Sequence, residues 1–170
     1  IDVSSFINAG GKVTSYSELA VSAATLTNTL AGAIESIGDQ TLQITGALNN
    51  EGKITTQSNL VLSADQLRNG IDGGDNTNIG VLALNAEVSL KNTNLSTESQ
   101  NFAQIKTFGG LTINLEHQLN NANSGVVDIS GLDLQGTVGS GLQNDGLINA
   151  SNLILVRASS INNTATGRLY

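Results

Sequence analysis

The sequence contains no cysteine, proline, methionine or tryptophan, and aromatic residues account for 3% of its 170 positions. Without cysteine there is no disulfide framework, no thiol chemistry and no Cys-based metal site. Without proline, no residue lacks the N–H that a β-ladder needs. So few aromatic side chains leave any core to Leu, Ile, Val and Ala. Charged residues are scarce as well, at 12%, about half the usual share. That is too few for amphipathic helices, whose outer faces are normally rich in Glu and Lys. No stretch reaches the roughly 18 to 20 apolar residues of a membrane span, and no signal-peptide pattern is present. The seven Lys and Arg stand singly against a net charge of −7, so the basic stripe that a nucleic-acid partner requires is missing. Met is absent even from position 1, which reads as a single segment, 1–170, excised from a longer protein whose targeting signals lie elsewhere.

What is present suits short strands joined by polar turns. Apolar residues make up 39% and there are 19 glycines, with Asn, Ser, Thr and Gln filling the remaining polar positions. Two patterns alternate. The first is an apolar residue, a spacer, Asn, then a Gly-containing turn leading to another apolar residue. It reads Phe6-Ile7-Asn8 to Val13, Leu26-Thr27-Asn28 to Ile34, Leu48-Asn49-Asn50 to Ile54, and Leu67-Arg68-Asn69. It returns at Leu119-Asn120-Asn121, Leu142-Gln143-Asn144 and Ile161-Asn162-Asn163, with a degenerate copy at Asn101 where Ser99 holds the apolar slot. Successive gaps between these Asn residues are 20, 22, 19, 32, 20, 23 and 19.

The second pattern is a period-2 strand, Leu-x-(Leu/Ile/Val). Its copies are Leu19/Val21, Leu42/Ile44, Leu60/Leu62, Leu82/Leu84, Leu111/Ile113, Leu132/Leu134 and Leu153/Leu155. The two patterns keep phase along the chain. A period near 20 residues with two or three short strands predicts an all-β fold, a parallel β-helix (β-solenoid) of about eight coils. Stacked about 4.8 Å apart, the coils would line Leu, Ile and Val into one interior column. Asn8, Asn28, Asn50, Asn69, Asn101, Asn121, Asn144 and Asn163 would stand at one corner. There they are expected to serve as turn residues tolerant of left-handed backbone, or as an amide ladder. A leucine-rich repeat has a similar period but needs a tight Leu-x-x-Leu-x-Leu block and a helical half, both missing here.

The phased motifs resemble the filamentous haemagglutinin-type repeats of bacterial two-partner-secretion exoproteins. The closest matches are Leu48-Asn49-Asn50-Glu51-Gly52-Lys53-Ile54 with Leu60-Val61-Leu62-Ser63-Ala64, and Leu142-Gln143-Asn144-Asp145-Gly146-Leu147-Ile148. The resemblance covers nearly the whole chain. It implies a right-handed β-helix within a long surface filament of Gram-negative bacteria, secreted through an outer-membrane transporter partner. Members include adhesins, haemolysins and the delivery arms of contact-dependent growth-inhibition toxins. It therefore implies a shaft or adhesive segment at the cell surface, with a host or target-cell receptor or glycan as partner. The Asn-Pro motifs of the family's secretion domain are absent, and no counterpart of a toxin domain is visible.

The 32-residue gap marks a departure, and such departures favour binding loops. Ile71 to Asn78 delays the next strand, and Glu87 to Ser99 lengthens the coil further. Val88, Leu90 and Leu95 around Lys91-Asn92-Thr93-Asn94 predict a small hairpin, giving an extra-helical protrusion near residues 71–99. Lys91, Asn92 and Asn94, with Phe102 and Phe108 in the next coil, are the candidate partner contacts. Neutral length variation is the competing reading. Asp72, Asp75 and Asn76 offer hard oxygen ligands for Ca²⁺, but without EF-hand or nonapeptide spacing, and an acidic Gly-rich turn explains them without an ion, so no metal is expected.

For catalysis the sequence offers little. The 14 acidic residues are spread along the chain, and the single His117 adjoins Glu116, which in a strand would face the opposite way. A carbohydrate-active β-helix enzyme is the alternative function, and it would need convergent carboxylates in one groove. No enzyme activity and no cofactor are expected. The sequons at Asn94, Asn149 and Asn162 are no more than composition predicts. Thr residues do not recur at one coil position, which argues against an ice-binding array.

Overall fold

Runs of four to seven residues in which alternate side chains are apolar can satisfy their backbone only by pairing with like runs. In the computed structural model they do so in parallel at every described pairing, and no helix occurs among the described residues. Residues 71–80, 85–87, 92–98, 102–103, 108–110, 116–117, 122–125, 130–133, 140 and 153 lie outside the description.

The strands form two sheets. The eight-stranded sheet takes one strand from each coil, in the order Lys12–Ser15, Ala33–Ser36, Lys53–Thr56, Val81–Leu84, Gln104–Thr107, Val126–Ile129, Leu147–Ala150, Arg168–Leu169. The fourteen-stranded sheet has two arms joined through the long strand Leu19–Asn28. One, the leucine arm, runs through Gln40–Ile44, Leu60–Ser63, Val88–Lys91, Leu111–Leu115, Leu134–Val138 and Ile154–Ala158. The other, the asparagine arm, runs through Ala47–Asn50, Gln66–Asn69, Ser99–Asn101, Gln118–Asn121, Gly141–Asn144 and Ile161–Asn163. Asp2–Asn8 pairs with Leu19–Asn28 from the far side. Each coil thus visits the asparagine arm, the eight-stranded sheet and the leucine arm in turn, which makes the molecule a β-solenoid with three parallel faces.

The core is the aliphatic column that a nearly ring-free composition requires. Leu26, Leu48 and Leu67 stack on the asparagine arm, Ile34 and Ile54 on the eight-stranded sheet, and Leu42 and Leu62 on the leucine arm, all buried. Inward-facing residues of the first and last coils, such as Phe6, Val13 and Ile154, are partly buried and pack against this column. The first corner, between the asparagine arm and the eight-stranded sheet, is closed by glycine. A Cβ at Gly11 would lie 2.8 Å from the Asn8 side-chain oxygen, and one at Gly52 would lie 2.5 Å from the Thr29 carbonyl. The second corner, leading to the leucine arm, uses hydroxyls. Ser15, Ser36 and Thr56 stand in register. Their Oγ atoms donate to the carbonyls of Glu18 at 2.9 Å, Gly38 at 2.8 Å and Gly38 at 2.8 Å respectively.

Four sequence expectations need correction. Leu82 and Leu84 do not belong to the leucine arm: they stand opposite Ile54 and Thr56 on the eight-stranded sheet. Their place on the leucine arm is taken by Val88 and Leu90, opposite Leu60 and Leu62. Both faces alternate inward and outward residues with the same period of two, so a Leu-x-Leu run fits either. For the same reason Val88, Leu90 and Lys91 belong to no hairpin, since they pair in parallel with Leu60–Ser63 on one side and Leu111–Leu115 on the other.

Next, the leucine arm is displaced from the Leu-x-Leu reading at three coils. Gln40, rather than Leu42, stands opposite Leu19 and Leu60. Leu134, rather than Leu132, stands opposite Leu111, and Ile154 stands opposite Leu134, which sets Leu155 against Gln135. Finally, no residue other than glycine has positive φ among the described residues. The corner Asn residues are therefore extended strand residues and act through their side chains.

Register also locates the added length. Val81 lies 12 residues after Asn69 but stands opposite Lys53, which lies 3 after Asn50, so nine residues are inserted there. Leu82 to Val88 and Ile54 to Leu60 are both six residues, so nothing is added at the second corner. Val88 to Asn101 is 13 residues where Leu60 to Asn69 is 9, which places the remaining four between the two arms. The segments that hold the inserted residues, 71–80 and 92–98, lie outside the description.

Candidate functional site

The most ordered polar feature of the molecule is internal. Asn8, Asn28, Asn50, Asn69, Asn101, Asn121, Asn144 and Asn163 stand in unbroken register down the asparagine arm. Each is the last residue of its strand, and the side chains of Asn8, Asn28, Asn50, Asn69, Asn121 and Asn144 are buried in the corner. The amides form a directional ladder. Nδ2 of Asn8 donates to Oδ1 of Asn28 at 2.8 Å, Asn28 to Asn50 at 2.8 Å, and Asn50 to Asn69 at 2.9 Å. Further along, Asn121 donates to Asn144 at 2.8 Å and Asn144 to Asn163 at 2.7 Å.

The second amide proton is shared between corner carbonyls: that of the first residue of the following coil's strand in the eight-stranded sheet and, for Asn8 and Asn28, that of the same coil's glycine, Gly11 at 2.9 Å and Gly32 at 3.3 Å. Asn8 reaches Ala33 at 3.2 Å, Asn28 reaches Lys53 at 3.1 Å, Asn121 reaches Leu147 at 3.1 Å and Asn144 reaches Arg168 at 3.2 Å. The backbone repeats the logic. The N–H after each Asn donates to the Asn carbonyl one coil back: Thr29 to Asn8, Glu51 to Asn28, Gly70 to Asn50, Asp145 to Asn121 and Thr164 to Asn144. A buried amide costs little when both its donors and its acceptor are engaged, and chains of such bonds polarise one another. The ladder is architectural, since its reactive atoms face no solvent: Asn28, Asn50, Asn69, Asn121 and Asn144 are fully buried.

Outside the same arm lies a polar column. Asn49 stands opposite Thr27 and Arg68, and Asn120 opposite Gln143, which in turn stands opposite Asn162. Asn162 Nδ2 donates to Gln143 Oε1 at 2.8 Å. A shallow groove of about 340 Å³ opens here, lined by Thr27, Asn49, Asn50, Glu51, Arg68 and Gly70. Its far edge, Gly70, is the residue from which the nine-residue insertion departs. A groove of this kind, bordered by the Asn49 amide, the Thr27 hydroxyl, one guanidinium and one carboxylate, presents hydrogen-bond donors and acceptors of both kinds.

The other sequence candidates distribute as follows. Lys91 ends its strand opposite Ser63 and Asn114. Asn92, Asn94, Phe102, Phe108 and His117, like Asp72, Asp75 and Asn76, lie outside the described residues. Among the described residues no group of three or more His, Asp or Glu is placed to hold a metal ion, and no helix is long and apolar enough to cross a membrane. Two features escaped the sequence reading. One is Gln40, fully buried in the leucine arm. The other is Asp39 beside it, which ties adjacent coils by accepting from the Ser58 hydroxyl and from the backbone and side-chain N–H groups of Asn59. Neither repeats along the chain, so periodicity carries no signal for them.

Those hydrogen bonds, the Ser58 hydroxyl foremost, hold the Asp39 carboxyl below its usual range. A folded-state value below the unfolded one means that the contribution to stability is present above the unfolded pKa and is lost as pH falls through the folded pKa. Melting temperature should therefore decline through the acidic carboxylate range, and Asp39→Asn should shallow that decline and slightly lower the melting temperature at neutral pH, where the carboxylate's contribution is in force. An identical acid limb in the variant would remove Asp39 from the account.

The fold and its polar features define the class, a parallel β-solenoid with a buried asparagine ladder. No family model, no curated protein and no solved structure matches this chain.

Proposed function

We propose that the chain is a structural shaft and adhesive segment of a secreted bacterial surface filament, mediating attachment or target-cell contact. In this reading the coils supply reach and stiffness, because parallel ladders, an aliphatic column and an amide ladder all run the same way along the stack. The contact surface is the edge of the asparagine arm beside the groove of Asn49 and Arg68. The observation that carries the reading is the location of the added length: nine residues enter at one corner, beside that groove, without disturbing the register of the coils on either side. A stack that keeps its register around an insertion can vary a loop while its scaffold stays the same. The partner is a receptor or glycan on a host or target cell. Delivery of the longer protein is assigned to an outer-membrane transporter, and the location to the bacterial surface. Catalysis and cofactors have no place in this reading.

Deleting residues 71–79 tests it. The deletion joins Asn69-Gly70 to Gly80-Val81 and recreates the Asn50-Glu51-Gly52-Lys53 spacing, so the variant is expected to keep its β-sheet circular dichroism and cooperative melting. Binding of the purified chain to target cells is expected to fall by at least about tenfold, as when a central contact is lost. A well-folded deletion variant that binds as before would move the contact surface elsewhere.

A further inference from the structure

The chain contains a single Asn-Gly dipeptide, Asn69-Gly70, and it falls on a rung of the asparagine ladder. Asn-Gly is the most labile asparagine context in chemistry, because the glycine nitrogen has no side chain beside it to hinder attack. The reaction joins Gly70 N to Asn69 Cγ and breaks the Cγ–Nδ2 bond, and ammonia leaves carrying the amide proton of Gly70. Water then opens the resulting succinimide at either carbonyl, leaving aspartate or isoaspartate.

In the folded chain each requirement of that step is blocked. The Gly70 N–H, which must lose its proton, donates to the Asn50 carbonyl at 2.8 Å. Asn69 Oδ1 accepts from Asn50 Nδ2 at 2.9 Å, which fixes the side chain in the ladder and so opposes the rotation that attack by the Gly70 nitrogen requires. The Asn69 side chain is fully buried, so the base and water that the reaction needs are excluded. Two of the three restraints, the hydrogen bonds at Gly70 and at the Asn69 side chain, come from a single residue of the neighbouring coil, Asn50. Gly70 is also the residue at which the nine-residue insertion begins, where one coil-to-coil rung must be re-made after a long detour.

We propose that Asn69-Gly70 is a latent deamidation site, shielded by the ladder and released when the Asn50 and Asn69 coils part, so that opening of the stack at this rung is recorded covalently. The record does not reverse. Aspartate at 69 places a carboxylate where the ladder holds a buried neutral amide, and it has no amide protons to donate. Isoaspartate adds a backbone atom and shifts the strand out of register. This proposal stands independently of the adhesive reading.

The test is peptide mapping by mass spectrometry of the full chain held at mildly alkaline pH. In the native chain, deamidation at residue 69 is expected to be at least about a hundredfold slower than in the same chain in urea, because the reaction follows the open population. Asn50→Ala removes the side-chain donor and should raise the rate at residue 69 without raising it at the exposed Asn162. If that variant fails to fold, wild type in sub-denaturing urea serves instead, and the rate should climb before global unfolding. Equal rates in native and denatured chain would overturn the proposal. So would a folded Asn50→Ala variant that reacts no faster, or a wild-type rate that rises only with global unfolding.

Discussion

Replacing Asn50 with alanine is expected to destabilise the chain by about 2 to 4 kcal/mol, among the largest effects of any single polar side chain here. The magnitude follows from position. Asn50 is fully buried and lies in the middle of a run of rungs, accepting from Asn28 and donating to Asn69. Alanine leaves the Asn69 oxygen without this donor and removes the principal acceptor of the Asn28 amide, and it also opens a small void in the buried corner. Aspartate would be no substitute, since it cannot donate and would bring a charge into the interior. Chemical denaturation of the variant measures the loss. The control is Asn49→Ala one residue earlier on the outer face, which should stay within about 0.5 kcal/mol of wild type. Similar losses at positions 49 and 50 would mean that the ladder contributes nothing beyond side-chain bulk.

The opposite sign is expected at Gln40. Its side chain is fully buried, and neither its Oε1 nor its Nε2 has a hydrogen-bond partner. It stands between Leu19 and Leu60 in an otherwise aliphatic column. The folded state therefore carries the desolvation of an amide without the bonds that normally offset it. Leucine is close in volume and matches the residues above and below, so Gln40→Leu should stabilise by about 1 to 3 kcal/mol. At roughly 2 to 4 °C per kcal/mol for a chain of this size, the shift in melting temperature is easily resolved. A lower melting temperature in the variant would show that the amide is satisfied in solution, by water or by a shifted rotamer. The contrast between the two sites is instructive. Asparagine is stabilising where each neighbour supplies a matching amide, and glutamine is not where its neighbours are leucines.

Much of this was legible in the sequence. Asn8 to Asn163 recur with a turn after them and an apolar residue two before, so the asparagine arm could be aligned by eye, including its degenerate copy at Ser99 and Asn101. The leucine arm was less legible. Leu153-Ile154-Leu155-Val156 is apolar throughout, so either parity reads as a buried strand, and only the pairing of Ile154 with Leu134 decides which residues face inward. Gln40 went unrecognised because Leu42 and Ile44 supply a Leu-x-Ile pair two residues further on, with the same parity. A displacement of two leaves the alternation intact and so leaves no trace in the sequence.

The sequence by itself determined that this chain forms parallel coils with an aliphatic core and one corner asparagine per coil. Those features depend on composition and on a period that survives insertions. The absence of cysteine, proline and nearly all aromatic residues narrowed the choice further, because it left backbone ladders and stacked aliphatic side chains as the means of cohesion. Only the tertiary structure decided which coil face each Leu-x-Leu run occupies, and how the 13 added residues of the long gap divide into nine and four. It alone also showed that Gln40 lies unsatisfied in the core. The physical reason is common to all three. A strand's inward and outward alternation is a local property, whereas its register is set by the coil stacked against it.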